Sequence, residues 1–199
     1  MKRLMLWLGV LAPLLYYGAV IGGALSWPAY SHVTQYASEL GSAAAPHPEY
    51  FNWPIMAAGG LAVLSSLGFF AALRERGAGV VAAFLTALSI ALWGVSMVMG
   101  GSFPMPNPLH NGFGLGLAIQ LAPLFMLWAL WGAKAPGLKL FLAVVFVASL
   151  GLLLVMFNVG DLNLVRQSNV GLWQRAYSLS SIPWLAVAAL ALMGPARKA

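Results

Sequence analysis

The chain reads as an all-α integral membrane protein: a six-transmembrane-helix bundle with both termini in the cytoplasm and a short amphipathic helix in the first outer loop. Two observations predict this. Six apolar runs, residues 4–26, 53–73, 78–99, 108–133, 138–158 and 174–194, are each about long enough to cross a hydrocarbon core of roughly 30 Å. Backbone amides in lipid must bond internally, so such runs can only be helices. The second observation is charge. With the N-terminus inside, Lys2, Arg3, Arg74, Arg76, Lys134, Lys139, Arg197 and Lys198 share one side, and only Arg166 and Arg175 of the ten bases fall on the other. The positive-inside rule then sets the topology, with the inner (cell) membrane as the expected location. Glu39, Glu49, Asp161 and the three histidines, His32, His47 and His110, fall outside, and Glu75 inside.

Composition agrees. At 199 residues, 61% apolar and 7% charged, the chain forms a single membrane domain over residues 1–199 and has no room for a separate soluble one. The net charge of +6 is a topology signal. It is no nucleic-acid footprint, because the bases are scattered over short loops rather than set in a stripe. The absence of cysteine removes disulfides, thiolate metal sites and a cysteine nucleophile. A basic start before an apolar run suggests a signal peptide, but the run through Ser26 exceeds the usual apolar core and reads as the first span.

The expected inner connections are short hairpins, at 74–77 and at 132–137 with Pro136. The outer ones differ. Residues 27–52 form a long loop, the kind that carries function in a compact domain. Within it Val33, Tyr36, Ala37 and Leu40 repeat at helical spacing, with Ser31 as N-cap and Gly41 as stop, which predicts the surface helix. His32, Gln35 and Glu39 would share its polar flank. The fourth span opens with Asn107 as cap, Pro108 at the first position and His110 in the first turn, where the helix dipole favours a neutral imidazole. Gly112, Gly114 and Gly116, like Gly18 and Gly22 in the first span, have the spacing of close helix contacts. Arg175 opens the last span, where the dipole disfavours a cation, so Glu39, Asp161 or a bound anion is expected to offset it; the alternative is an arginine snorkelling to lipid phosphate.

Ser38-Glu39-Leu40-Gly41, Phe51-Asn52, Phe103-Pro104 followed by His110, and Gly171-Leu172-Trp173-Gln174-Arg175 with Trp184 together resemble the bacterial and archaeal membrane family called domain of unknown function 998. The resemblance covers nearly the whole chain. It implies six helices, a more distant similarity to the Frag1, DRAM and Sfk1 group tied to lipid handling, and a carry-over of interest to Glu39, His110 and Arg175. It implies no activity. Met105-Pro106 stands where the family pattern leads one to expect a polar or acidic residue.

Glu39, His110 and Arg175 come from three segments that reach the same membrane boundary. They could serve as base, acid and anion clamp on a lipid headgroup, or as a network fixing the loop to the bundle. The favoured reading is an outward-facing polar pocket binding a lipid or amphipathic small molecule, with Ser38, Glu39, Asn107, His110, Asn111, Gln174 and Arg175 around it. The alternatives are a membrane-embedded enzyme acting on a lipid headgroup through the same trio, and a structural or partner-binding protein. No cofactor is expected, and the histidines match no compact zinc spacing. No nucleophile elbow or phosphate-binding glycine loop occurs. The eight tryptophans, mostly near span ends, read as interfacial anchors. Tyr16, Tyr17, Ser65, Ser66, Ser89 and Ser96 read as helix-to-helix hydrogen bonders that could instead line a cavity. Transport gains no support, since no span carries a central charge.

Overall fold

The computed structural model describes residues 1–194; Arg197 and Lys198, two of the bases assigned to the inner side, lie outside the described residues. It is all-helical, and six helical segments are long and apolar enough to cross a membrane. The first three are continuous: α1 Lys2–Leu25, α2 Glu49–Glu75 and α3 Val80–Ser102. The fourth, Pro108–Ala129, joins a 3-10 segment Pro108–Gln120 to α4 Ala122–Ala129. The fifth is α5 Pro136–Met156, and the sixth, Val170–Met193, divides into α6 Val170–Ser181 and α7 Trp184–Met193.

Consecutive helices pack side by side, and α7 returns against α1 and α2, so the bundle closes on itself. Its core mixes small and large residues: Ala12, Ala58, Ala62, Ala83 and Ala188 between Leu6, Phe69, Ile90, Met126, Leu142 and Leu185. In lipid, apolar surface gains little by leaving the solvent, so helices associate through close backbone approach. Gly59 and Gly94 show this reciprocally. A Cβ on Gly59 would meet the Gly94 carbonyl at 2.5 Å, and one on Gly94 the Gly59 carbonyl at 2.6 Å. Gly18 and Gly22, expected at such a contact, face open space instead. A small residue spacing does not say which helix face meets a neighbour.

The buried hydroxyls also depart from expectation. Ser65 and Ser66 donate to Ala62 and Val63 of their own helix at 2.8 and 2.7 Å. Back-bonding of this kind satisfies a hydroxyl in an apolar interior without a partner helix. Tyr17 does cross, donating to the Ser178 carbonyl at 2.9 Å. Trp93 and Trp184 are buried, unlike the exposed Trp7, Trp53, Trp128 and Trp131, so two of the eight are core residues rather than anchors.

Both divided spans have local causes. In the fourth, Gly112, Phe113 and Gly114 take left-handed backbone angles, φ 51°, 54° and 77°. Glycine accepts this at no steric cost, whereas Phe113 does not. The 3-10 half therefore replaces the regular helix opening expected there. In the sixth, Pro183 has no N–H to continue the ladder. The buried Trp184 indole donates to the Ser181 carbonyl at 3.0 Å, satisfying an acceptor at the end of α6.

At the bundle end bearing the chain's N-terminus, Lys2 pairs with Glu75 and Arg76 donates to the Leu192 and Gly194 carbonyls at 2.9 and 2.7 Å. These contacts tie α1 to the end of α2, and the end of α2 to the end of α7.

Candidate functional site

The long loop before α2 crosses the opposite end, and the sequence explains its path. Ser31 starts a single turn, its carbonyl accepting from Gln35 N at 3.0 Å and its hydroxyl from Val33 N and Thr34 N at 3.3 Å each. After Tyr36 the chain enters a 3-10 helix, Ala37–Gly41. A turn followed by a 3-10 helix thus stands where a continuous amphipathic helix from Val33 is expected. Glu39 closes this unit locally: its carboxylate accepts from Tyr36 N at 2.7 Å and from Gln35 Nε2 at 3.0 Å.

The opening turn of α6 docks this loop. A Cβ on Gly171 would collide with the carbonyls of His32 and Gln35, so only glycine lets the loop lie against the helix. Leu172 N, one of the helix's unpaired first amides, donates to the Val33 carbonyl at 3.0 Å. Gln174 Oε1 accepts from Ala37 N at 2.7 Å and from Arg175 Nη1 at 3.1 Å. Arg175 Nη1 also donates to the Gln35 carbonyl at 2.8 Å and the Gly171 carbonyl at 3.2 Å, while Nη2 donates to the Tyr30 hydroxyl. Carbonyl oxygens, not a carboxylate, therefore offset the Arg175 charge. The direct Arg175–Glu39 pair does not form among the described residues; Gln35 stands between them, giving its carbonyl to one and its amide to the other. Burial raises the Tyr30 hydroxyl above its ordinary pKa of 10.0 against the lowering effect of Arg175. Partial burial, then Arg175, lowers that of His32.

On the far side of the loop Asn52 Nδ2 donates to the Gly41 carbonyl at 2.9 Å, and a Cβ on Gly41 would strike the Asn52 side chain. Gly41 and Asn52, like Gly171, Gln174 and Arg175, thus have one common task, fixing the loop's course.

His110 holds a different joint. Its Nδ1 lies 3.1 Å from the Gly100 carbonyl and 3.0 Å from that of Phe103. Two carbonyls can only accept, so Nδ1 carries the proton and the ring caps the carbonyl end of α3. Asn107 does cap, accepting from Leu109 N at 2.9 Å.

Beneath the loop lies a cavity of about 770 Å³. Ser38, His110, Asn111 and Gln174, four of the seven expected site residues, line it; Glu39, Asn107 and Arg175 do not. Tyr16 and Ser96 line it as well, as do Tyr36, Tyr177, Met156 and Phe157, which the sequence reading missed. Tyr36 has the helical spacing of an apolar stripe, and Tyr177 falls within an ordinary span, so neither had a distinguishing pattern. Met105 also lines the cavity and accepts from the Ser38 hydroxyl through its sulfur at 3.1 Å, so a thioether meets Ser38 where the family pattern suggested a polar or acidic residue. Among the described residues no group of three His, Asp or Glu side chains is placed to hold a metal.

These features define a class: a multi-pass helical membrane protein whose loop, clamped across one end, overlies a mixed polar and apolar cavity. Residues 10–191 match the family described as Protein of unknown function (DUF998), and the chain belongs to that family. No curated protein and no solved structure matches it.

Proposed function

We propose that the protein is a binding protein of the inner membrane whose cavity faces away from the cytoplasm and takes a lipid or other amphipathic small molecule. The observation that carries this reading is the lining: hydroxyl and amide groups of Ser38, Asn111 and Gln174 stand in the same cavity as Phe51, Ile55 and Leu117. A chamber of this size, apolar with a few convergent polar groups, suits a small ligand. Binding is favoured over headgroup catalysis because Glu39 and Arg175 are engaged in holding the loop, and His110 Nδ1 in capping α3. The positive-inside distribution supports the orientation. Native mass spectrometry of the detergent-extracted protein tests the reading. A co-purified lipid mass is expected, lost when Leu117→Trp fills the mouth. Retention of the same adduct by that variant would remove the cavity as its site.

A further inference from the structure

We infer that the cavity admits its ligand sideways from the bilayer and selects a neutral, hydroxyl-bearing lipid of the diacylglycerol type over anionic phospholipid. This rests on the lipid-binding reading above and names the ligand class.

The side entrance follows from the broken fourth span. Its 3-10 half packs along α3 and barely touches α5, whereas α4 packs on α5 and α5 on α6. A gap therefore remains at the loop end, between the 3-10 half and the last turn of α5. Gly114 and Leu117 on one side and Phe157 on the other line the cavity, and all three are exposed. Gly114 and Leu117 belong to a segment long and apolar enough to span a membrane, which would set acyl chains beside them. A ligand passing there brings its own chains.

The neutral headgroup follows from charge. Among the described residues no Asp, Glu, Lys or Arg lines the cavity. Arg175 commits Nη1 and Nη2 to Gln35, Gly171, Gln174 and Tyr30, and it does not line the cavity. His110, the one imidazole among the described lining residues, turns its Nδ1–H to the Gly100 and Phe103 carbonyls. A phosphate here would be a poorly hydrated anion with Arg175 held one residue behind the lining rather than in it, an arrangement that disfavours binding. Hydroxyls face no such penalty. The lining offers groups that match them in the Asn111 amide, Gln174 Nε2 and the Ser38 oxygen, while Gln174 Oε1 and the Ser38 O–H are engaged elsewhere. Tyr177 lines the same cavity, and its buried hydroxyl makes no hydrogen bond of normal geometry among the described residues, the Ser181 hydroxyl one turn on being the group beside it. A buried unpaired hydroxyl is costly, and a ligand hydroxyl could repair it.

The experiment presents the full-length protein in micelles with equimolar dioleoylglycerol, dioleoyl phosphatidic acid and dioleoyl phosphatidylglycerol, and with free glycerol in a separate arm. Adducts are counted by native mass spectrometry. The diacylglycerol adduct should exceed either phospholipid adduct by about tenfold, the ratio of a 1.4 kcal/mol preference. Tyr177→Phe should narrow that ratio, and Leu117→Arg, which places a cation at the mouth, should move it towards phosphatidic acid. An equal or larger phosphatidic acid adduct on the unaltered protein overturns the neutral-ligand inference and leaves lipid binding standing. A glycerol adduct as abundant as the diacylglycerol adduct overturns entry from the bilayer. Failure of all three lipids to bind overturns the underlying reading itself.

Discussion

Gly171→Ala is the smallest change that should release the loop. The added methyl would meet the His32 carbonyl at 2.6 Å and Gln35 N at 3.0 Å, and would strike the Gln35 carbonyl more closely still. Backbone cannot rotate away as a side chain can. Either the contact is strained, at a cost of about 1 to 3 kcal/mol for overpacking, or the loop lifts from α6. Lifting would give up the Leu172–Val33 bond, about 1 kcal/mol, and the charge-assisted Arg175–Gln35 bond, about 1.5 to 3 kcal/mol. The cheaper path sets the loss, so about 1 to 3 kcal/mol is expected. Denaturant titration in mixed micelles measures it, and a cycle with Arg175→Gln separates the two paths. If the loop lifts, Arg175 has already lost its acceptor and its replacement costs less in the Gly171→Ala background. If both changes prove additive within about 0.5 kcal/mol, the loop does not lift. A loss below about 0.5 kcal/mol for Gly171→Ala alone would refute the close docking.

Three other outcomes are expected. The cysteine-free chain allows single cysteines as topology probes: at exposed Ala44 or Asn163 they should react with an impermeant thiol reagent outside intact cells, and at exposed Gly79 they should not. The reverse pattern would invert the orientation. His110→Ala should destabilise by about 1 to 3 kcal/mol, because it removes the side-chain donor from the Gly100 and Phe103 carbonyls; unfolding midpoints no different from wild type would contradict the capping role. His32 has a pKa held below its ordinary 6.5 in the fold, by burial and then Arg175. Its contribution is therefore complete above 6.5 and is lost as pH falls through the lower folded value. His32→Gln should flatten the acid side of the stability profile, and an unchanged profile would count against it.

The span count was legible because lipid imposes one requirement on every residue it touches, and a run of apolar residues records it. Breaks inside a span leave a weaker mark. Gly112 does pack closely, against Ser96, but nothing in the sequence tells that it and Gly114 also take left-handed angles, whereas Pro183 can be read directly as a missing donor. Of the cavity's lining, His110, Asn111 and Gln174 were legible from polarity near a span end, and Ser38 only through the family motif it belongs to. The partner of Arg175 was not. A cation's demand shows in sequence, but every residue carries a carbonyl, so no pattern reveals which carbonyls answer it.

That last point bears on how freely the loop can change. Leu172, Gln174, Arg175 and Asn52 all grip main-chain atoms, those of Val33, Ala37, Gln35 and Gly41. Side chains at His32, Val33 and Thr34 are not needed for any of these bonds. Substitution there can alter what the loop presents to the outside while its course stays fixed. The same grip restricts length far more than identity: one residue inserted between Val33 and Ala37 would shift the register of the bonds, where many replacements would not.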